Sequence, residues 1–424
     1  MQGRSGVSSP WWQITLPCVL AVILASAIGL AGCAPEGTSE DDTTSQDGVN
    51  TSAPVPLDED SYYVDATLGE WIDPETGYDT TREWTLEGGE WPVALIMSPS
   101  QSPQLLVAER DGMLSEALGP LGIDPVVERI DLPPRTFHAL QRSKWPFAYM
   151  PLAVFTDYAR SNDNQGGAGG LQYVAIAGST AGGGYTLITM DDSIRTVADL
   201  TDKTVAQVNS NPVPGTLLAS AARQAGLELG DGEGQIHLAR GPGGDQLNAY
   251  EAGEVDAAII LNILKPVMLG RGSHVLTDFA DVEYTPNYTV LCVERSVLEE
   301  RPEVVEAFLE MHYQADQAAV AEWDASLQPV LLDSWNTYFE SQTAESAAQR
   351  IVADWSGYEA ILGEMYPEDR LDPRLLADCL EFVDDAGLWG WAGAVDTSRL
   401  SALELYDAVL ESHGEPSQAD GTVR

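Results

Sequence analysis

The sequence predicts an α/β protein built around mostly parallel sheets, and three features predict it. From Trp91 onward, short apolar runs of strand length alternate with segments of helical spacing. The alternation falls into two units of similar plan, 91–182 and roughly 190–283. A strand-like run follows each unit, YTLITM after the first and NYTVLCV after the second.

In the first unit VALIM reads as a buried strand, SPSQSP as a turn, and QLLVAERDGMLSEAL as a helix with Leu105, Leu106, Met113 and Leu118 toward a core. VVERIDL follows as strand, TFHALQRS as helix, FAYMPLAVF as an apolar segment and QYVAIA as strand. In the second unit TVAQV is a strand, NSNPVPG a turn, and TLLASAARQAG an alanine-rich helix closed by Gly226. IHLAR is a strand, GDQLNAYEAG a helix closed by Gly253, and VDAAIIL a strand. From 285 onward a strand leads into a helix with Pro302 in its first turn. AESAAQRIVADWSGY, PRLLADCLEFVDDAGL and ALELYDAVLES are then helical.

Of 424 residues, 66 are acidic and 21 basic, a formal net charge of −45. Such a surface repels nucleic acid and anionic headgroups, so neither is expected as a partner, and it suits solubility at a salty or extracellular surface. Arg4 is the one charged side chain in the first 32 residues, and CVLAVILASAIGLAGC then ends on Leu30-Ala31-Gly32-Cys33. That ending resembles a bacterial lipobox, in which Cys33 carries the lipid and becomes the mature N-terminus; a retained transmembrane helix is the alternative. The domain expectation is therefore a lipoprotein signal at 1–32 and an acidic, self-repelling linker at 33–60. An extension of unassigned structure follows at 61–90. Cys292 and Cys379 read as buried free thiols, and with no CxxC and no histidine cluster neither a metal nor a cofactor is expected.

GSTAGGGY, residues 178–185, has the glycine spacing of a phosphate-binding loop, but Gly184 and Tyr185 stand where that loop needs Lys and Ser or Thr. Nucleotide binding is excluded on that ground. The glycines, Gly183 among them, read instead as a turn at the mouth of a cleft.

The runs VAIAGSTAGGGYTLITMDDSIRTVADLTDKTVAQVNSNPVPGTLLASAARQAGL, NAYEAGEVDAAII and PNYTVLCVERSVLEERPEVVEAFL, with the earlier LLVAERDGMLSEAL, carry a family likeness. They resemble the substrate-binding proteins of ABC importers in the nitrate, sulfonate, taurine and thiamine-precursor group, over roughly residues 91–320. VADLTDKTVA is similar to that family's Asp-Leu-x-Gly-Lys-x-Val element, with Asp202 in place of Gly, so a differently shaped turn is expected there. The resemblance implies a two-lobed fold of the periplasmic-binding-protein type 2, each lobe a mixed sheet flanked by helices. Lobe 1 would comprise 91–183 plus 290–424, and lobe 2, with the two hinge strands, 184–289. It also implies a small-molecule solute, ABC permease and ATPase subunits as partners, a monomer, no enzymatic activity, and an extracytoplasmic place on the membrane through the lipid anchor.

Ligands of open α/β sheets bind at the carboxyl ends of strands. That rule nominates Ser98, Ser100 and Gln101 after the first strand, and Asn209, Ser210 and Asn211 before a helix whose first turn holds Gly215 and Thr216. Ordinary turn and N-cap roles are the alternative for these. Tyr149 and Met150 match the family's loop at the cleft, although Ser143 stands for its Gly and Pro146 for its Asp. Asn262 follows VDAAIIL, and Tyr185 and Tyr288 flank or lie on the hinge strands, each offering a flat face and a hydroxyl, or else serving as core. No nominated residue is cationic; Arg240 and Lys265 are near, of which Arg240 follows a strand. A sulfonate, nitrate or similar oxyanion and a small planar or aromatic compound therefore both stay open. Rival classes are an exported hydrolase, a pyrimidine-synthesis enzyme, against which the export signal argues, and a sensory or scaffold lipoprotein.

If Cys33 is the lipidated residue, Cys33→Ala moves the protein from the membrane pellet to the supernatant of fractionated cells, because lipid chains contribute about 0.8 kcal/mol per buried CH₂. Retention in the pellet would favour the transmembrane alternative.

Overall fold

The computed structural model describes residues 83–96, 102–130, 140, 143–164, 171–182, 184–207, 213–239, 243–282, 287–323, 327, 365–385 and 395–418. In chain order the strands are β1 (Gly89–Ile96), β2 (Ile123–Ile130), β3 (Phe147–Pro151), β4 (Tyr173–Gly182), β5 (Tyr185–Thr189), β6 (Thr204–Gln207), β7 (His237–Ala239), β8 (Ala257–Leu261), β9 (His274–Asp278), β10 (Tyr288–Glu294) and β11 (Met365–Pro367). The helices used below are α1 (Pro103–Arg110), α2 (Met113–Leu118), α3 (Leu152–Asn164), α4 (Val213–Gln224), α5 (Gly243–Glu251), α6 (Lys265–Gly270), α7 (Arg295–Glu300), α8 (Pro302–Glu322), α9 (Pro373–Asp385) and α10 (Glu404–Ser412).

Two sheets result, one ordered β11-β4-β10-β3-β1-β2 and the other β7-β6-β8-β5-β9. Neither is mostly parallel. In the first, β1 runs parallel to β2 and β3, whereas β10 is antiparallel to β3 and β4, and β11 to β4. In the second, β6 is parallel to β7 and β8, whereas β5 is antiparallel to β8 and β9. Of the reversed strands, β5 and β10 are those in which the chain enters a new sheet, and β11 is a short edge strand of the first.

Register fixes how the sheets face one another. Gly182 ends β4 at the carboxyl edge of the first sheet, and Tyr185 opens β5 opposite Leu261, the carboxyl end of β8. On the return, Asp278 ends β9 opposite Thr186, and Tyr288 opens β10 opposite Ala181. Both crossings thus join carboxyl edge to carboxyl edge. The crossings are clipped together: Gly182 N–H donates to Asn287 O at 3.2 Å, and the Asn287 amide donates back to Gly182 O. Gly182 has φ 118°, a conformation that favours glycine.

Burial follows this plan. One face of the first sheet packs on α1, α2 and α8 through Leu105, Leu106, Phe308 and Leu309, the other on α3 and α9 through Phe155, Tyr158, Cys379 and Phe382. Cys292 and Cys379 are free and buried, as read from the sequence. The second sheet buries Leu187, Val205 and Ile259 beneath Leu217 and Leu218 of α4, and Ala153 of α3 joins that cluster. The two halves also meet where Arg223 of α4 lies over the ring of Phe382 of α9, 4.9 Å from its centroid.

The single helix expected over 104–118 is two, because Gly112 takes φ 73° and ends the run. FAYMPLAVF divides at Pro151 into β3 and the start of α3. The turn at Asp202 keeps a glycine-like shape after all: Asp202 has φ 58°, and its carboxylate accepts from Gly234 N–H at 2.5 Å. The rest of that motif is structural too. Thr196 and Asp199 form a capping box, Leu200 is buried, and Lys203 pairs with Asp256 at 3.0 Å.

The free edge of β4 is covered by the C-terminal part of the chain. Gly178 N–H donates to Asp369 O at 2.9 Å, and Ala175 N–H to Leu400 O at 2.8 Å. A Cβ on Gly178 would lie 2.6 Å from the carbonyl oxygens of both Glu368 and Arg370. Gly178→Ala is expected to cost about 2 kcal/mol or more of folding stability, read as a lower urea midpoint with an unchanged slope; an unchanged midpoint would show that the 368–370 segment yields freely.

Candidate functional site

The space between the two carboxyl edges is where the strand-end rule places a ligand. Ser98, Ser100, Gln101, Gly183, Asn209, Ser210 and Asn211 lie outside the described residues, as do Arg240 and Cys33. Of the others, the structure moves several from cleft to core. Tyr149 and Met150 are fully buried on β3. Tyr185 is buried and sets its ring edge-on to Phe279, 5.8 Å between centroids. Gly215 and Thr216 are buried within α4, where the Thr216 hydroxyl donates to Val213 O of its own helix at 2.6 Å. Alternate residues of a buried strand both find cover when helices pack on each face of the sheet, so a polar or aromatic type at a strand end does not mark a cleft wall.

Beneath the carboxyl edge of the first sheet lies a buried polar cluster. His312 Nε2 is 2.9 Å from Gly178 O, an acceptor only, so Nε2 carries the proton; Nδ1 then accepts from Tyr149 Oη at 3.0 Å. Gln104, fully buried on α1, donates to Asp316 Oδ1 of α8 at 2.8 Å and to Ser179 O. Ser179 Oγ lies 2.7 Å from Gln104 Oε1 and 3.3 Å from Ser102 Oγ, whose oxygen also caps α1 by accepting from Leu105 N–H at 3.2 Å. Tyr406 of α10 donates to Asp369 Oδ2 at 2.6 Å. The start of α1, the end of β4 and the middle of α8 are thereby locked to one another.

Burial pushes His312 down to about 4, outweighing the opposite pulls of Asp369 and the Gly178 carbonyl, and pushes the Tyr149 phenol well up. The ring is neutral at neutral pH, as its two bonds require.

At the carboxyl edge of the second sheet the side chains are polar and partly open. Asn262, the nominated residue, is buried; its N–H donates to Gly184 O at 2.8 Å, and its side-chain amide lies 2.5 Å from Thr186 Oγ1. Thr186 donates its one hydroxyl proton to Asp278, whose other oxygen takes Lys265 Nζ at 2.9 Å. Both members of that ion pair are half-buried, the side chains 22% and 17% exposed. Sequence reading passed over Lys265 because it follows no strand directly. Its partner arrives on β9, a strand not read from the sequence. The signal that could have found it is VLTD, an apolar run ending in a carboxylate just before a turn.

Back on the first sheet, Tyr288 and Tyr366 both pair with Ala181 from opposite sides, so they share one face of the sheet at its carboxyl edge. Tyr288 is half-buried. Burial first, then the neighbouring Tyr366, Glu368 and Asp372, push its phenol up to about 12. Tyr366 was missed because β11 has only three residues.

Two mixed α/β sheets joined twice at their carboxyl edges have the fold of the periplasmic binding proteins of type 2. Within it, residues 167–325 match the family model described as NMT1/THI5 like. No curated protein matches the sequence. Among solved structures, the chain is similar to the periplasmic aliphatic sulphonate binding protein SsuA from Escherichia coli, at 17% identity and a TM-score of 0.54, over 80% of this chain and 96% of that one. It is similar to the alkanesulfonate-binding protein SsuA from Xanthomonas axonopodis pv. citri bound to MOPS, at 14% identity and a TM-score of 0.53, over 75% and 100% of the chains. A mutant of DszB in complex with biphenyl-2-sulfinic acid also matches, at 15% identity and a TM-score of 0.50, over 76% and 99%. Among the described residues no helix is long and apolar enough to cross a membrane.

The His312 arrangement makes stability pH-dependent with a defined sign. Above pH 6.5 the ring is neutral folded and unfolded; below it, the unfolded chain takes up a proton that the folded chain refuses until about pH 4. Stability is expected to fall by about 1.4 kcal/mol per pH unit across that window, about 3 kcal/mol in all. Denaturant melts of wild type and His312→Gln at several pH values check this: the variant loses that slope, and parallel curves would rule His312 out as its source.

Proposed function

We propose that this chain is an extracytoplasmic solute-binding lipoprotein, anchored through Cys33, that delivers a small sulfonate-type solute to the permease and ATPase of an ABC importer. The observation that carries the reading is the double crossing at the carboxyl edges. Two lobes joined there by two short segments can close on a solute by rotation about the crossings, with little change inside either lobe. The binding proteins to which the fold is similar, which by name take aliphatic sulphonates or alkanesulfonates, support that class of solute. Its partners are then a small molecule and the importer subunits, the protein acting as a monomer, not as an enzyme and without cofactor. Nucleic acid is no part of the role for a chain of net charge −45.

Thermal-shift measurement on the purified protein tests this against alkanesulfonates, taurine, nitrate, pyrimidines and aromatic acids. A solute that binds only the folded form stabilises it by about 2.7 kcal/mol at a hundred-fold excess over Kd, and the melting temperature rises with concentration. Response to at least one sulfonate is expected. Silence across the panel would leave a sensory or scaffold lipoprotein, and turnover of a responding compound would make the protein an enzyme on the same fold.

A further inference from the structure

We infer that Lys265 is the receptor for the solute's anionic head, and that Asp278 and Thr186 hold its ammonium in place at the carboxyl edge of the second sheet. The inference rests on the solute-binding reading and deepens it by giving the solute a charge and an orientation.

Three observations carry it. First, Lys265 begins α6, in the first turn, where a helix dipole disfavours a cation. The fold nevertheless keeps it half-buried there and sets Asp278 opposite, 2.9 Å away. Asp278 is fixed in turn, since it accepts from Thr186 Oγ1 and caps the turn Phe279–Asp281. A surface lysine needs no such support. Second, an ammonium has three N–H donors, and among the described residues Asp278 takes one of them. The remaining donors suit two oxygens of a sulfonate, in short charge-assisted bonds. Third, the opposite edge offers a different surface. Tyr288 and Tyr366 share one face there, and Asp372 and Arg370 beside them are paired with Arg374 and Glu415. The organic body of the solute can lie against the tyrosine faces while its head is taken by Lys265. The solute therefore lies with its head on the second sheet and its body toward the first.

The test is isothermal titration of the full chain with ethanesulfonate and with ethyl methyl sulfone, an uncharged molecule of similar shape. Wild type should prefer ethanesulfonate at least about ten-fold. Lys265→Met should weaken ethanesulfonate at least about ten-fold and leave the sulfone within about two-fold. Asp278→Asn removes the carboxylate beside the head's place and leaves the ammonium, so it should bind ethanesulfonate at least as tightly as wild type. Lys265→Arg keeps the charge and should retain most of the affinity; with Asp278→Asn it decides the matter if Lys265→Met does not fold. Equal affinity of wild type for the two probes, or full ethanesulfonate affinity in Lys265→Met, would overturn the inference while the solute-binding reading stands on the thermal-shift panel. Failure of every member of that panel to bind would overturn both.

Discussion

Backbone packed against backbone at Gly178 is the constraint on which the arrangement of the first lobe depends. The carbonyls of Glu368 and Arg370 come so close that a side chain has no room, and the Gly178 peptide bonds outward in two directions, its N–H to Asp369 and its oxygen to His312. One residue further, Ser179 holds Gln104 of α1. Three segments distant in sequence are registered against one strand end. That strand end is also the last rigid point before the chain leaves for the second sheet. The position of the second lobe is set from here, and a loose β4 would leave the crossing without a fixed origin. Buried polar groups serve this purpose better than apolar packing would, because each hydrogen bond accepts one geometry and penalises the others.

Much of the fold was legible in the sequence, for a physical reason. Strands such as VAIA and AAIIL are buried on both faces and read as unbroken apolar runs, and helices such as TLLASAARQAG carry both periodicity and a glycine stop. Length alone did not decide legibility: β7, of three residues, reads from IHLAR, whereas β9 and β11, of five and three residues, were not read. The same gap explains the site. Asn262 was nominated because it follows a long apolar strand, whereas Lys265 is paired from β9 and Tyr366 lies on β11. Tyr149, Tyr185 and Thr216 were nominated on residue types that suit a ligand, and all three are buried and held by partners within the fold.

The contrast between the two carboxyl edges is the main electrostatic fact about the interior of the cleft. On one side a neutral histidine and two aspartates are buried beneath a pair of tyrosines, and the nearby Arg370 and Arg374 are paired with Glu415 and Asp372. On the other, a lysine is held out on a carboxylate support. The chain carries a net charge of −45, so an anionic solute approaches against a repulsive long-range field. Salt shortens the reach of that field to about 10 Å at 0.1 M, and a half-buried ion pair is screened far less than the surface around it. Long-range repulsion and short-range attraction can coexist because they act at different distances.

Asp202 bears on how so acidic a chain can arise without a change of fold. In the family this chain resembles, a glycine occupies that turn; here an aspartate adopts the same left-handed backbone and its carboxylate bonds to Gly234 N–H. Asp and Asn are the residue types that enter this conformation most readily after glycine, because a short polar side chain can bond locally. Left-handed turns on a surface are therefore sites where negative charge can be added one residue at a time with the backbone path preserved.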